Sequence, residues 1–283
     1  RIEKISRYCF VKEDHVISAP DIDCIYDIPL NFEAGNIGKL VLRSLGLRSK
    51  NTPLYSKWEE KVSKIKNPKK EINIGIVGKY YKSGDFDLKD SYVSVLEAIN
   101  HACWEFAVKP NIHWIVADDL EKSSKKVLQL KNMDAIIVPQ GWGSRGALGK
   151  IKAVKFAREN KIPYLGLCYG MQMAVVEFAR DVLGIRDAMS EEVDSSSANC
   201  VIHMMKDQER FVKDKRYGGT IRLGAWPCVI DKDSLLYKTY KKYGNGMFSE
   251  LPIVMERHRH RYEFNNEYIE EFESSDMKLS GRS

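Results

Sequence analysis

The chain has 283 residues, a length for one or two domains. Its 43% hydrophobic and 30% charged residues exclude a wholly disordered or collagen-like chain. Lys plus Arg number 45 against 39 Asp plus Glu, and the resulting +6 is too small and too scattered to argue for a nucleic-acid partner. No run approaches the roughly 18–20 apolar residues that a membrane-spanning helix needs, so no membrane partner is expected.

Residues 1–47 carry short apolar stretches broken by turn residues, such as Val16-Ile17-Ser18 and Ile25-Tyr26-Asp27-Ile28-Pro29-Leu30. Over 48–70 eight Lys/Arg stand against two acids, and Pro53 and Pro68 bracket a helix around 58–65. This basic stretch reads as an interdomain linker. At Glu71 a regular rhythm begins, and 71–283 reads as one domain. Ile72-Asn73-Ile74-Gly75-Ile76-Val77 is a strand ending in Gly78; Asp90 then caps a helix with Tyr92, Val95, Leu96, Ile99 and Cys103 at three- and four-residue spacing. Strands at 111–116, 135–138 and 162–167 alternate with helices over 120–130, 147–160 and 169–182. The pattern predicts an α/β fold, a doubly wound, mainly parallel sheet with helices on both faces, with its chemistry at the carboxyl ends of the strands. Beyond it, Gly218-Gly219-Thr220 leads into a strand over 221–229, 254–264 reads as one further strand, and a short helix precedes Met277-Lys278-Leu279.

The six cysteines, Cys9, Cys24, Cys103, Cys168, Cys200 and Cys228, form no CxxC pair, which suits reduced thiols in a cytoplasmic protein and no metal site. Arg1-Ile2-Glu3-Lys4 is neither a signal peptide nor an initiator context, so an interior segment of a longer protein is expected.

The sharpest motif is Gly166-Leu167-Cys168-Tyr169-Gly170, where a strand meets a helix. A nucleophile here must project from a strained turn, and glycines two residues to either side let strand and helix pass closely, the logic of G-x-S-x-G with sulfur for oxygen. The helix amino end would favour the reactive thiolate. A buried, inert cysteine between incidental glycines is the plainer alternative. One strand earlier, Pro139-Gln140-Gly141-Trp142-Gly143-Ser144-Arg145-Gly146 exposes backbone N–H groups, and the amides of Gly141 and Tyr169 together would cradle an oxyanion. In Arg257-His258-Arg259-His260-Arg261-Tyr262-Glu263 a strand's period of two sets three arginines on one face and His258, His260 and Tyr262 on the other. An arginine row suits a carboxylate; a nucleic-acid patch is the rival, without interleaved stacking aromatics. No phosphate-binding loop occurs, because Gly78-Lys79-Tyr80 and Gly149-Lys150-Ile151 lack its spacing and hydroxyl.

Together with Gly75-Ile76-Val77-Gly78-Lys79-Tyr80, Asp90-Ser91-Tyr92-Val93-Ser94-Val95-Leu96-Glu97-Ala98 and Gly219-Thr220-Ile221-Arg222-Leu223-Gly224, these motifs resemble the CTP synthase family over nearly the whole chain. The match is to its class I glutamine amidotransferase domain, preceded by the end of its P-loop-type amidoligase domain in residues 1–47. The resemblance implies a ligase that makes CTP from UTP, ATP and ammonia in pyrimidine biosynthesis, the ammonia coming from glutamine. It implies Cys168 as the nucleophile that forms a thioester. Gly141, Tyr169, Gly170, Met171, Gln172, Glu192 and Arg261 match glutamine-binding positions, the last two holding the amino and carboxylate groups of a zwitterion. Lys4 matches a UTP or CTP contact, and Asp21 and Ile22 an adenine contact of the ATP site. L-glutamine is the expected ligand and a homotetramer the expected assembly; ATP and Mg are expected only for the complete enzyme, and no cofactor for this segment.

Three departures qualify the resemblance. The family's histidine base and its acid come from a His-Pro-Glu motif expected beyond Ser283, so neither His258 nor His260 is assigned as base, and this segment alone is expected not to turn over. Gln140 stands where the family usually carries a second glycine, and Trp142 where it usually has phenylalanine. A catalytically inactive homologue serving as a regulatory or assembly subunit is the alternative. A stand-alone cysteine hydrolase of the same fold, recruiting His203 or another histidine, is a third.

Overall fold

The computed structural model describes residues 1–49, 55–79, 82–83, 86–87, 89–216, 219–244 and 252–283; expectations attached to Pro53, Tyr80 and Gly218, and to the Asp90 side chain, lie outside the described residues. The chain divides into two compact units, Arg1–Ile72 with Leu96–Pro110, and Asn73–Val95 with Asn111–Ser283.

In the first unit the apolar stretches of 1–47 form short helices, Ile2–Cys9, Ile28–Ala34 and Ile37–Ser44, the second started by Pro29 in its first turn. None of the three buries a residue. The basic stretch holds the helix Tyr55–Lys66, close to the sequence expectation. The unit is tied together by aromatic rings around Tyr26, whose centroid lies 6.2 Å from Trp58, 5.8 Å from His101 and 4.8 Å from Trp104. The Tyr26 hydroxyl donates to Glu97 Oε2 at 2.8 Å and the Trp58 indole to the Tyr26 carbonyl at 2.8 Å, so both half-buried polar tips are satisfied.

The central sheet has the order Val108–Val116, Lys70–Gly78, Ala135–Val138, Tyr164–Gly166. The last three strands pair in parallel, with Gly75 opposite Ile136 and Val138 opposite Gly166. Ile76, Val77, Ile136 and Val138 are buried, as β-branched runs in a covered parallel sheet should be. The α/β class with a parallel central sheet is thus as the alternation implied. Two clusters flank the chemistry-bearing strands of the second unit. One packs Val77, Ile115, Leu120, Leu130 and Ile136 with Ala153 and Ala157 of the helix Ala147–Glu159; the other packs the helix Tyr169–Asp181 on Val201, Ile202 and Phe272. Arg158 grips Glu177 from helix to helix, its Nη2 2.7 Å and its Nε 3.0 Å from Oε1.

Two expected elements are broken. The helix expected over 120–130 is three pieces, Ala117–Lys122, Ser124–Val127 and the 3₁₀ turn Leu128–Asn132, because Ser123 takes an extended backbone (φ −146°, ψ 116°). The strand expected over 254–264 is two. Ile253–His260 pairs antiparallel with Arg222–Ile230, whose other edge takes Gly281–Arg282; Tyr262–Phe264 pairs with Cys200–Met204 in a different sheet. Arg261 sits at the joint, its carbonyl accepting from Met205 N at 3.1 Å. The single row of three arginines is therefore not formed: Arg257 and Arg259 are exposed, whereas Arg261 turns into the second unit half-buried.

Candidate active site

Cys168 occupies the turn between Tyr164–Gly166 and the helix Tyr169–Asp181 with φ 52° and ψ −106°, a region that a side-chain-bearing residue enters only when its surroundings force it. The forcing is visible in the flanking glycines. A Cβ on Gly170 would lie 1.8 Å from the Val138 carbonyl oxygen, and one on Gly166 would lie 2.5 Å from Met171 N. Strand and helix therefore cross at backbone distance, and the tight turn throws the Cys168 side chain off the sheet end. The Tyr164 hydroxyl donates to the Gly170 carbonyl at 2.8 Å and Leu167 N to the Val138 carbonyl at 2.9 Å, which pins both sides of the elbow.

The loop after Val138 lies beside it. Its carbonyls turn inward onto two buried lysines. Lys79 Nζ donates to Trp142, to Gly143 at 3.4 Å and to Arg145 at 2.9 Å; Lys150 Nζ donates to Pro139 at 3.2 Å. The Tyr169 hydroxyl adds a bond to the Gly143 carbonyl at 2.7 Å. With these carbonyls satisfied from below, the Gly143 amide is free to donate to Glu192 Oε1 at 2.9 Å. Neither lysine was among the residues singled out for chemistry in the sequence. Each follows a glycine that lets its backbone approach a neighbour: a Cβ on Gly149 would lie 1.9 Å from the Ala117 oxygen, and one on Gly78 3.1 Å from the Tyr92 hydroxyl. The Gly-Lys pairs that fail as phosphate loops are the available signal.

The electrostatics differ from the simple helix-end expectation. Burial pushes the Cys168 thiol up, as does the Glu192 carboxylate; the Tyr169 amide and Lys150 pull it down without reversing the balance. Glu192 is itself held above the usual carboxylate range by burial, opposed by the Gly143 amide, Lys79 and Arg261. Burial lowers Lys79 below the usual lysine range, and Lys150 further, to about 7. Besides meeting the Tyr169 amide, the thiol donates to the Arg259 carbonyl at 4.0 Å.

Of the residues singled out in the sequence, Cys168, Gly141, Tyr169, Gly170, Met171, Gln172, Glu192 and Arg261 all belong to the second unit. Gly141 is packed so that a Cβ would sit 3.7 Å from Tyr169 Cδ1. Met171 is 43% exposed, and Gln172, buried, spends its amide on the Tyr262 carbonyl at 3.1 Å. His258 and His260 face each other at 2.8 Å, and His260 meets the Tyr262 carbonyl at 3.0 Å. His203 lies 3.9 Å from Glu263. Lys4, Asp21 and Ile22 belong to the first unit, Lys4 exposed with its amine 5.8 Å from the Tyr8 ring centroid. Among the described residues no group of three His, Cys, Asp or Glu side chains is gathered for a metal, and no helix is long and apolar enough to cross a membrane. A surface groove of about 340 Å³, lined by Leu148, Ile151, Lys155 and Arg180, lies at the end of the elbow helix opposite Cys168.

A cysteine on a strained strand-to-helix elbow, beside a loop that presents a backbone amide, is an arrangement suited to a nucleophilic thiol. The family model for class-I glutamine amidotransferases matches residues 87–283, and the chain belongs to that family. Relatives named CTP synthase align with nearly the whole chain. The enzyme of Sulfolobus acidocaldarius is 43% identical over 279 residues, covering 99% of this chain and 49% of that protein; the enzyme of Pyrococcus abyssi is 44% identical, covering 99% and 48%. The chain thus spans about half the length of the curated relatives it matches. A solved structure described as Trypanosoma brucei CTPS glutaminase domain with bound acivicin matches with a TM-score of 0.64 and 36% identity over 74% of each chain.

Proposed function

We propose that this chain carries the glutamine-hydrolysing half-reaction of a CTP synthase. The observation that carries the reading is the Cys168 elbow, at φ 52°, set against the loop of Gly141. Cys168 sulfur attacks the side-chain amide carbon of L-glutamine. On this reading the amides of Gly141 and Tyr169 meet the tetrahedral oxyanion. The C–N bond then breaks and nitrogen leaves as ammonia with the thiol's proton; in the complete enzyme water hydrolyses the thioester to glutamate and restores the thiol. Glu192 and Arg261, opposite charges in mutual reach, suit the ammonium and carboxylate of the substrate.

On the same reading residues 1–47 are the end of an amidoligase domain and 48–70 its linker. Lys4 then contacts UTP or CTP, and Asp21 and Ile22 contact ATP. The complete cytoplasmic enzyme, a homotetramer using ATP and Mg, aminates UTP with the ammonia released here. The support is the alignment over 99% of the chain with relatives named CTP synthase.

Acivicin tests the first step, because a structural relative holds it. Incubation followed by peptide mapping is expected to give one adduct, on Cys168, suppressed by excess L-glutamine and absent from Cys168→Ser. An adduct spread over the other five cysteines, or one indifferent to glutamine, would overturn the reading.

A further inference from the structure

Lys150 is the most deeply buried charged side chain among the described residues. Its amine lies against three residues around the candidate nucleophile. It donates to the Pro139 carbonyl at 3.2 Å, sits 4.8 Å from the Tyr169 ring centroid, and lies 3.1 Å from where a Gly141 Cβ would be. Gly141 has the room for it only because it has no side chain. An ammonium held by one hydrogen bond and a ring face is costly to bury, and a methionine would fill the same volume without that cost. A charge kept at such a place is there for what it faces.

We propose that Lys150 is a positioning residue of the glutaminase reaction, fixing the Pro139–Gly141 turn against Tyr169 and supplying the positive charge that balances the Cys168 thiolate and the oxyanion formed from it. The inference rests on the glutaminase reading. Facing Lys150 are Lys79, which repels its proton, and Cys168, which as thiolate attracts it; facing Cys168 are Glu192, Lys150 and the Tyr169 amide. Burial and Lys79 bring Lys150 to about 7, so near neutral pH its proton is held more firmly once the thiolate has formed. The sign follows: removing the lysine's charge removes a term that lowers the thiol, so the thiolate forms only at higher pH.

The test is the rate of Cys168 alkylation by iodoacetamide from about pH 6 to about pH 10, read peptide by peptide, since the thiolate is the reactive species. The 283-residue chain is compared with Lys150→Met, Lys150→Gln and Lys150→Arg. Lys150→Met and Lys150→Gln are expected to move the midpoint upward by about one unit, an approximately tenfold slower reaction at pH 7. Lys150→Arg should keep the wild-type midpoint. A changed plateau with an unchanged midpoint in the neutral variants would reduce Lys150 to a packing role and overturn the proposal. Should Lys150→Met fail to fold by circular dichroism, the Gln and Arg variants decide, since they share the hydrogen bond and differ in charge. Failure of acivicin to label wild-type Cys168 would sink the glutaminase reading instead, which the alkylation midpoint does not depend on.

Discussion

The first and third helices are more sharply amphipathic than the elbow helix, yet it is the elbow helix that the fold covers. Ile2–Cys9, Ile28–Ala34 and Ile37–Ser44 bury no residue, and Phe10 at the end of the first is 96% exposed. Tyr169–Asp181 buries nine of its thirteen residues. A helix acquires a precise position from what covers it, and only the covered one can hold a neighbour's backbone in an unfavourable conformation. Strain at Cys168 is affordable in the second unit because Val138, Gly166 and Gly170 leave the chain no other path.

The contrast breaks most visibly at Gly170. Gly170→Ala would press a methyl to within 1.8 Å of the Val138 oxygen, and we expect a loss of at least about 3 kcal/mol in urea unfolding. A loss below about 1 kcal/mol would mean that elbow and strand separate easily. A smaller effect sharpens the electrostatics. Glu192→Gln removes a charge that raises the thiol, so the Cys168 alkylation midpoint should fall, with a rate roughly threefold higher near pH 7. A midpoint that stays put would show that burial alone sets it. The smallest effect belongs to the first unit. Phe10→Ser, at a fully solvated position, should change stability by less than about 0.5 kcal/mol in the same urea titration; a larger loss would mean that these helices are covered in solution.

Much of the site was legible because its chemistry is local. Gly166-Leu167-Cys168-Tyr169-Gly170 sits on five consecutive residues, and the close crossings at Gly166 and Gly170 are what the spacing implies. The strands of the central sheet were legible from β-branched runs such as Ile74, Ile76 and Val77. The elements that misled were those whose ends depend on distant partners. Nothing in 254–264 marks Arg261 as a joint, because it is the pairing of Arg222–Ile230 and of Cys200–Met204 that draws the two halves into different sheets. Ser123 likewise interrupts a stretch whose apolar spacing alone reads as one helix.

The sequence by itself determined the α/β alternation, the elbow and its glycines, and the membership of the class-I glutamine amidotransferase family. Only the tertiary structure decided how the site is charged. It placed Lys79 and Lys150 beneath the loop, turned Arg261 away from its neighbours toward Glu192, and reversed the simple expectation for the Cys168 thiol. The reason is physical. Backbone crossings are fixed by residues adjacent in the chain, whereas a proton's affinity depends on every charge and every excluded water within reach, and those arrive from strands and helices scattered along the sequence.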